Sequence, residues 1–179
     1  MIYKFGLGFV LAFLMASFNL PEPGLHFFSG LYDFYPGGFI GIMLLVLRAS
    51  VGVLFIIHGS PKIINLRAWA ESLKMPVGLC FVSALSMILG GICLIVGLLT
   101  LLATLPLLCS MGVAIYLHIS QHKPFVAKDP YQIPSDEYKG PKGKGEPPSW
   151  EKAYMYCIML LTIAVIGPGA YSVDALIFG

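Results

Sequence analysis

Long apolar runs separated by short polar connections are the dominant pattern of the chain. Four of these runs have nearly the length of a membrane-spanning helix and lie at residues 38–57, 77–98, 101–119 and 150–166. A helix needs about 20 apolar residues to cross a hydrocarbon core of about 30 Å. The pattern therefore predicts an all-α integral membrane protein built as a four-helix transmembrane bundle.

A further apolar run occupies residues 1–20, with Lys4 in front of it. Such a segment is either a signal peptide or an uncleaved anchor. The A-x-A-like spacing of cleaved signals is missing at Ala12–Ala16, which favours an extra N-terminal transmembrane helix. Residues 21–37 are rich in proline, glycine and aromatic side chains, and predict an ordered extracytoplasmic loop at the membrane surface.

Interruptions are expected at three places in the membrane domain, which is predicted to cover residues 38–179. Pro61 is expected to open a short amphipathic helix after the first run. Pro106 is expected to kink the run at 101–119. The loop 120–152 collects lysines among prolines, glycines and acids without a helical or strand period. It is predicted to be a largely flexible cytoplasmic loop.

Small residues follow one face of the run at 77–98. They recur mostly at spacings of three and four residues, so they lie on one side of a helix. Another helix can approach closely along such a face. The members are Ser83, Ser86, Gly90, Cys93 and Gly97.

The composition supports a membrane protein and argues against several classes of function. Of the 179 residues, 58% are hydrophobic and 11% are charged, and the mean hydropathy is +0.84, whereas soluble domains carry about 25% charged residues. The net charge of +2 is small and the lysines gather in loops, which speaks against nucleic acid as a partner. The four cysteines show no C-x-x-C spacing, so neither a metal site nor a redox pair is expected.

Loop charges predict the orientation of the chain in the cytoplasmic membrane. Lys62, Arg67 and Lys74 follow the first run, and further lysines lie in the loop 120–152. Because basic loops remain on the cytoplasmic side, the C-terminus is expected outside, and an uncleaved N-terminus inside. The expected partners are lipid and either another protein or further copies of the chain.

Arg48 is a charge near the middle of an apolar run. An arginine there costs about 2.5 to more than 10 kcal/mol, depending on the reference state, so it should face the bundle interior and meet a partner. Asp174 would reach it if the segment after Ile166 turns back into the bundle. The pair is either a structural lock for the C-terminal segment or part of a site for an anion, a quinone or a proton.

Three further side chains are candidates at the cytoplasmic surface. His58 and His118 end two runs on the same side, where paired imidazoles can hold a haem iron or pass protons. Interfacial anchoring is the simpler interpretation, since the spacing fixes no other ligand. Lys62 lies fourteen residues after Arg48, roughly on the same helical face. No catalytic residue is assigned.

Three motifs, LLVLRASVGVLFIIHGSPKI, LGGICLIVGLLT and IGPGAYSVDALI, occur in this order and together resemble the DoxX family of bacterial membrane proteins. The resemblance covers about residues 39–177. The first helix, the outer loop and the long lysine-rich loop depart from the family pattern. The matching residues are Arg48, His58, Gly59, Lys62, Gly90, Gly91, Gly97, Gly167, Pro168, Gly169, Tyr171, Ser172 and Asp174.

The resemblance implies a four-helix core and, through the DoxD subunit of thiosulfate:quinone oxidoreductase, a role near quinone reduction or sulfur and thiol redox chemistry. The expected function is a membrane subunit of an oxidoreductase system that binds a quinone or small redox molecule near Arg48 and Asp174. No flavin fingerprint or iron–sulfur motif is present, so no intrinsic cofactor is expected and a partner would supply electrons. The alternatives are a non-catalytic accessory or scaffold subunit of a larger complex and a small-anion transporter.

Overall fold

A computed structural model of the chain describes residues 35–127, 139–140, 143–144 and 148–178. The predicted N-terminal helix and most of the loop that follows it lie outside these residues. Six helices occur in the described part: α1 (Gly38–Ile64), α2 (Leu66–Leu73), α3 (Val77–Val96), α4 (Thr100–Ser120), α5 (Glu151–Ile166) and α6 (Val173–Phe178).

Three of the described helices are long and apolar enough to cross a membrane: α1 with 27 residues, α3 with 20 and α4 with 21. Many of their large apolar side chains point away from neighbouring helices, among them Phe39, Val82 and Ile92. Such a surface requires lipid to cover it. The predicted all-helical membrane architecture is confirmed. Helix α5 has 16 residues, about 24 Å at 1.5 Å per residue, and packs mainly on α4.

The core of the described helices is apolar and comes from α1, α3, α4 and α5. Its side chains form one buried cluster that these four helices share. The buried members are Val51, Phe55, Met87, Leu94, Ala103, Leu107, Met111, Leu160 and Ile163.

Helices α1 and α3 cross at very short range. A Cβ at Gly52 would lie 2.5 Å from the carbonyl oxygen of Gly91, and a Cβ at Gly91 would lie 2.7 Å from that of Gly52. Close approach along α3 was predicted, but its small residues divide between two neighbours. Gly90 faces α4, and Ser83 Oγ lies 3.1 Å from Ser110 Oγ. Adjacent helical residues project about 100° apart, so the helix offers small residues to both sides.

The predicted helix start at Pro61 is wrong. Helix α1 continues through Pro61 to Ile64, and the amphipathic helix α2 begins only at Leu66. The proline removes one helical hydrogen bond, but Lys62 beyond it packs against α3, and that contact favours a continued helix. The carbonyl of Pro61 then accepts both the backbone N–H and the side-chain amide of Asn65, at 3.0 and 3.1 Å.

The structure also describes the other two places where interruptions were predicted. Pro106 lies inside α4, which continues on both sides of it. The loop 120–152 contains a small antiparallel pair, β1 (Lys139–Gly140) and β2 (Gly143–Lys144), with Lys139 opposite Lys144. The sequence of this loop shows no strand period, and the pair is the only strand structure among the residues described there. Strands of two residues are too short to leave an alternating pattern in the sequence.

The helices give the molecule two chemically different ends. At the junction end, α3 turns into α4 and α5 continues into α6. At the basic end, α1 and α4 finish and α5 begins. The basic end carries Lys62, Arg67, Lys74, Lys123 and Lys152.

Candidate functional site

Arg48 is fully buried, with 0% of its side chain exposed. Its Nη1 donates to the carbonyl of Leu94 at 3.3 Å, and its Nη2 donates to the carbonyl of Tyr171 at 2.6 Å. The first carbonyl lies in the last turn of α3, where helical donors run out. The second lies in the segment between α5 and α6. One guanidinium on α1 therefore ties two other parts of the chain together.

Asp174, in the first turn of α6, is 5% exposed. Its Oδ1 accepts the N–H of Leu99 at 2.6 Å, and its Oδ2 accepts the N–H of Thr100 at 2.8 Å. Its own N–H donates to the carbonyl of Gly97 at 2.8 Å. Leu99 offers no side-chain cap to α4, so a distant carboxylate provides it, at a helix end that favours negative charge.

The turn between α3 and α4 is tightly closed. Gly97 and Leu99 both adopt left-handed conformations, with φ of 69° and 47°. A Cβ at Gly97 would overlap Arg48 Nη1 and would lie 2.6 Å from the Cβ of Ser172. The guanidinium therefore packs directly against the backbone of Gly97, and a larger residue has no room there.

Two glycines bend the chain after α5. Gly167 and Gly169 have φ of 94° and 76°, values that side chains disfavour and glycine accepts. The Oγ of Ser172 donates to the carbonyl of Gly169 at 2.7 Å and accepts the N–H of Ala175 at 3.1 Å. This hydroxyl joins the bend to the start of α6 and so places Asp174 at the junction.

The bent segment returns against the start of α1, which was the condition for Asp174 to approach Arg48. The N–H of Ala170 donates to the carbonyl of Pro36 at 3.0 Å. A Cβ at Gly41 would lie 3.1 Å from the ring of Tyr171, which remains 48% exposed. Nearby, burial and then the Asp174 carboxylate raise the pKa of the Tyr35 phenol.

Arg48 and Asp174 reach the same turn but do not bond to each other. Within residues 35–127 and 148–178, the hydrogen bonds of Arg48 end on carbonyls and those of the Asp174 carboxylate end on amides. The expected direct pair is replaced because uncapped amides of α4 compete for the carboxylate. The opposite charges attract across the turn, in a low-dielectric surrounding.

Two buried atoms at the junction have no partner in the described part of the chain, Arg48 Nε and Thr100 Oγ1. An unsatisfied buried donor costs about 1–3 kcal/mol. Both atoms can donate, so an acceptor oxygen is the group that would satisfy them.

Lys62 lies at the other end of the molecule. Its Nζ is 3.3 Å from the Sδ of Met87 and 5.0 Å from the ring centroid of Trp69. The side chain is half-buried between α2 and α3. Lys62 therefore does not share a site with Arg48, although both lie on α1.

The two histidines at the basic end have separate surroundings. The His58 ring meets Tyr156 edge-on at 5.9 Å, while His118 Nδ1 lies 2.7 Å from the carbonyl of Ala114 in its own helix. Among the residues that the structure describes, no three His, Cys, Asp or Glu side chains gather as metal ligands. The two imidazoles thus contact different groups.

A comparison with known families matches the part of the chain that contains Arg48. Residues 43–120, from the second turn of α1 to the end of α4, match the DoxX family model. This part of the chain is similar to a DoxX domain. The resemblance predicted from the sequence is thereby confirmed over these residues, which include Arg48 and Gly97. No curated protein and no solved structure matches the chain.

Sequence reasoning missed the groups that hold Arg48 and Asp174 at the turn between α3 and α4. The partners of Arg48 and Asp174 are backbone carbonyls and amides, which carry no residue-specific signal. Gly97 was assigned to a small-residue face, whereas its role is to admit the guanidinium. Its position directly after an apolar run is a C-cap signal that indicates the turn but not its occupant.

Proposed function

We propose that this DoxX-domain chain is a non-catalytic membrane subunit of an oxidoreductase system, in which a partner protein carries the redox cofactor. One observation carries the non-catalytic part. Arg48 is 0% exposed, and both of its terminal nitrogens are already bonded to backbone carbonyls. A charge held in this way clamps helices together and is poorly placed to act on a substrate.

The redox part of the proposal rests on the family relation. The DoxX match supports a membrane protein of the DoxX family. The resemblance to DoxD-type subunits suggests quinone or sulfur chemistry in the partner. In the same proposal α5 is the fourth span and the N-terminal apolar run is a fifth. The protein lies in the bacterial cytoplasmic membrane, with its basic end in the cytoplasm and the segment after α5 outside.

The experiment compares membranes of a deletion strain complemented with wild type, Arg48→Gln or Arg67→Gln. Arg67 is exposed at the basic end and is the matched control for losing an arginine. Thiol- or sulfur-dependent quinone reduction should need the wild-type chain and survive Arg67→Gln. It should fall with Arg48→Gln in proportion to the amount of folded chain in the complex.

The purified chain alone should show no redox absorbance and no quinone reduction. Turnover by the isolated chain would overturn the non-catalytic assignment. Unchanged quinone reduction in the deletion strain would remove the link to an oxidoreductase system.

A quinone or small redox molecule bound near Arg48 is the second candidate. Its support is two unsatisfied buried donors, Arg48 Nε and Thr100 Oγ1, either of which a quinone carbonyl would satisfy. Titration of the chain in nanodiscs with a quinone analogue tests it. Saturable binding that is lost in Arg48→Gln and weakened in Thr100→Val supports this site. Absence of binding to the folded wild type supports the accessory role, and anion flux in proteoliposomes would support a transporter instead.

A further inference from the structure

Helix α1 has an apolar face that the described part of the chain leaves uncovered. This outward face lies opposite Arg48 on the helix and follows α1 along its whole length, at spacings of three, four or seven residues. Its members are Phe39, Met43, Val46, Ser50, Val53, Ile57 and Ile64. Phe39 is 75% exposed and Ile57 is 60% exposed. Residues at these spacings form a continuous contact surface for a second helix.

The glycines of α1 that approach other parts of the chain lie on its other faces. Gly52 and Gly59 approach α3, and Gly41 lies against the ring of Tyr171. The outward face is bulky, with Ser50 as the one small residue among its seven members. A helix that packs closely on a bulky face must itself bring small residues. A second copy of α1 would oppose one bulky face to another, so a different helix fits better.

The N-terminal apolar run, residues 1–20, has the sequence pattern that the outward face requires. Gly8, Ala12 and Ala16 recur at a spacing of four, so in a helix they lie on one face. Small residues at this spacing allow two membrane helices to approach closely. A helix of this length spans about 30 Å at 1.5 Å per residue, enough to follow α1 across the membrane.

The course of the chain brings this run to the end of α1 where the helix begins. The carbonyl of Pro36 accepts the N–H of Ala170, which fixes the entry to α1 at the junction end. Residues 21–34 connect the run to Tyr35. Fourteen residues reach about 46 Å at most, whereas neighbouring helix axes lie only about 8–10 Å apart. The connection gives the run an effective concentration of about millimolar beside α1, an advantage that a separate chain lacks.

We propose that the N-terminal run packs antiparallel on the outward face of α1, as a fifth helix that shields this face from lipid. Gly8, Ala12 and Ala16 then meet the bulky side chains of α1, and Lys4 lies at the basic end. This placement rests on the run being a fifth span, as in the proposed function. It is independent of the redox role.

The depth of each residue in the membrane predicts which pairs meet. Ala12 lies eight residues before the end of the run, and Val46 lies eight residues after the start of α1. Counted from the same two ends, Gly8 and Ser50 both lie twelve residues away. Since all helical residues have the same rise, Ala12 should lie beside Val46 and Gly8 beside Ser50.

Disulfide cross-linking of the full chain in vesicles tests these pairs. Gly8→Cys or Ala12→Cys supplies one thiol, in a background with the native cysteines replaced. Val46→Cys or Ser50→Cys supplies the other. The four combinations also cover a shift of the pairing by one helical turn. Size-exclusion chromatography first shows that each variant is folded.

Control pairs place the second thiol on the outer faces of other helices. Leu89→Cys on α3 and Ile158→Cys on α5 are suitable, because these side chains are 52% and 47% exposed at a similar depth. Cyanogen bromide cleaves after methionine, so a link between the run and α1 joins the fragments 2–15 and 44–75, which mass spectrometry identifies. A non-reducing gel separates links within one chain from links between two chains.

At least one of the four α1 combinations should cross-link within one chain about fivefold more than the control pairs, because a disulfide requires Cα atoms within about 7 Å. Ala16→Leu, which fills the small face of the run, should lower this yield. Leu14→Ala changes a residue on the other side of the run and should preserve the yield.

Equal yields for all pairs would leave the outward face to lipid and overturn the proposal. Preferred linkage to Leu89→Cys or Ile158→Cys would place the run on α3 or α5 instead. A link found only in dimers would make a second copy the occupant. The intact mass of the purified chain shows whether residues 1–20 are retained. Their removal would overturn this placement and leave the proposed subunit role untouched.

Discussion

At the scale of single residues, the junction end depends on backbone geometry that few side chains tolerate. Leu99 adopts φ 47° and ψ 46°, a left-handed conformation that costs an L-residue about 1–2 kcal/mol. Gly97 accepts such a conformation and also leaves space for the guanidinium of Arg48. These two positions should therefore respond in opposite ways to substitution.

Leu99→Gly should stabilise the protein by about 1 kcal/mol, because glycine relieves the left-handed backbone. The gain is limited because the Leu99 side chain is only 36% exposed, so glycine also removes the packing of its buried part. Unfolding in mixed micelles of dodecyl sulfate measures the change. Leu102→Gly is the control, because Leu102 is 45% exposed in a regular helix, where glycine should destabilise by about 1 kcal/mol. A lower unfolding midpoint for Leu99→Gly would contradict the argument.

Gly97→Ala should reduce the yield of folded protein severely, by an amount equivalent to about 3 kcal/mol or more. The new methyl would overlap the Arg48 guanidinium, and the backbone would be strained. Gly112→Ala is the matched control, since a Cβ there meets nothing within 4 Å. Detergent size-exclusion chromatography and thermal unfolding compare the two. Equal behaviour of both variants would mean that Arg48 does not pack on Gly97.

At the scale of elements, two contacts determine how the helices are held. The crossing of α1 and α3 requires Gly52 and Gly91, whose backbones approach within distances that exclude a side chain. The start of α4 requires the carboxylate of Asp174 in α6. One contact sets how closely the helices approach, and the other closes the turn between two of them.

Gly52→Ala should destabilise the protein by about 2–4 kcal/mol, since its Cβ would lie 2.5 Å from a backbone oxygen that cannot move cheaply. Gly78→Ala, at a position with open space in α3, should be neutral or slightly stabilising. Chemical unfolding of both variants in detergent checks this. Tolerance of Gly52→Ala would show that α1 and α3 can separate at little cost.

Asp174→Asn should weaken the cap of α4 by about 1–2 kcal/mol, because the amide has one acceptor oxygen and no charge for the helix end. Hydrogen exchange of the Leu99 and Thr100 amides should accelerate. Exchange in the middle of α4, for example at Met111, should change far less and serves as the internal control. Uniform acceleration along α4 would instead indicate global destabilisation.

At the scale of the whole molecule, the difference in charge between the two ends predicts how the protein is oriented in the membrane. Apart from the buried Arg48, the basic residues Lys62, Arg67, Lys74, Lys123 and Lys152 gather where α1 and α4 finish, and positive loops remain in the cytoplasm. A membrane-impermeant maleimide should therefore label Tyr171→Cys from outside intact cells and Ser120→Cys only after the cells are opened. Both positions are exposed, and both variants are made in a background with the native cysteines replaced. The reverse labelling pattern would invert the assignment.

Apolar run length and glycine placement allowed much of this architecture to be predicted. The starts of α3 and α5 and the end of α5 fall within a residue of the predicted positions, because Pro76 and Gly167 interrupt apolar runs there. The burial of Arg48 was predictable from its cost in lipid. Its partners were not, since they are backbone groups brought near by the fold. Continuation of α1 through Pro61 depends on contacts with α3, which sequence periodicity does not record.

The cap that α6 provides to α4 also constrains how the protein is made. Leu99 and Asp174 are 75 residues apart in the chain, so the start of α4 enters the membrane long before its cap has been synthesised. Until α6 emerges, nascent protein presents an open helix end and an arginine without one of its two carbonyl partners. Closure of this turn is therefore a late step of biogenesis. A protease that degrades incompletely folded membrane proteins would distinguish the chain with the open turn from the chain with the closed turn.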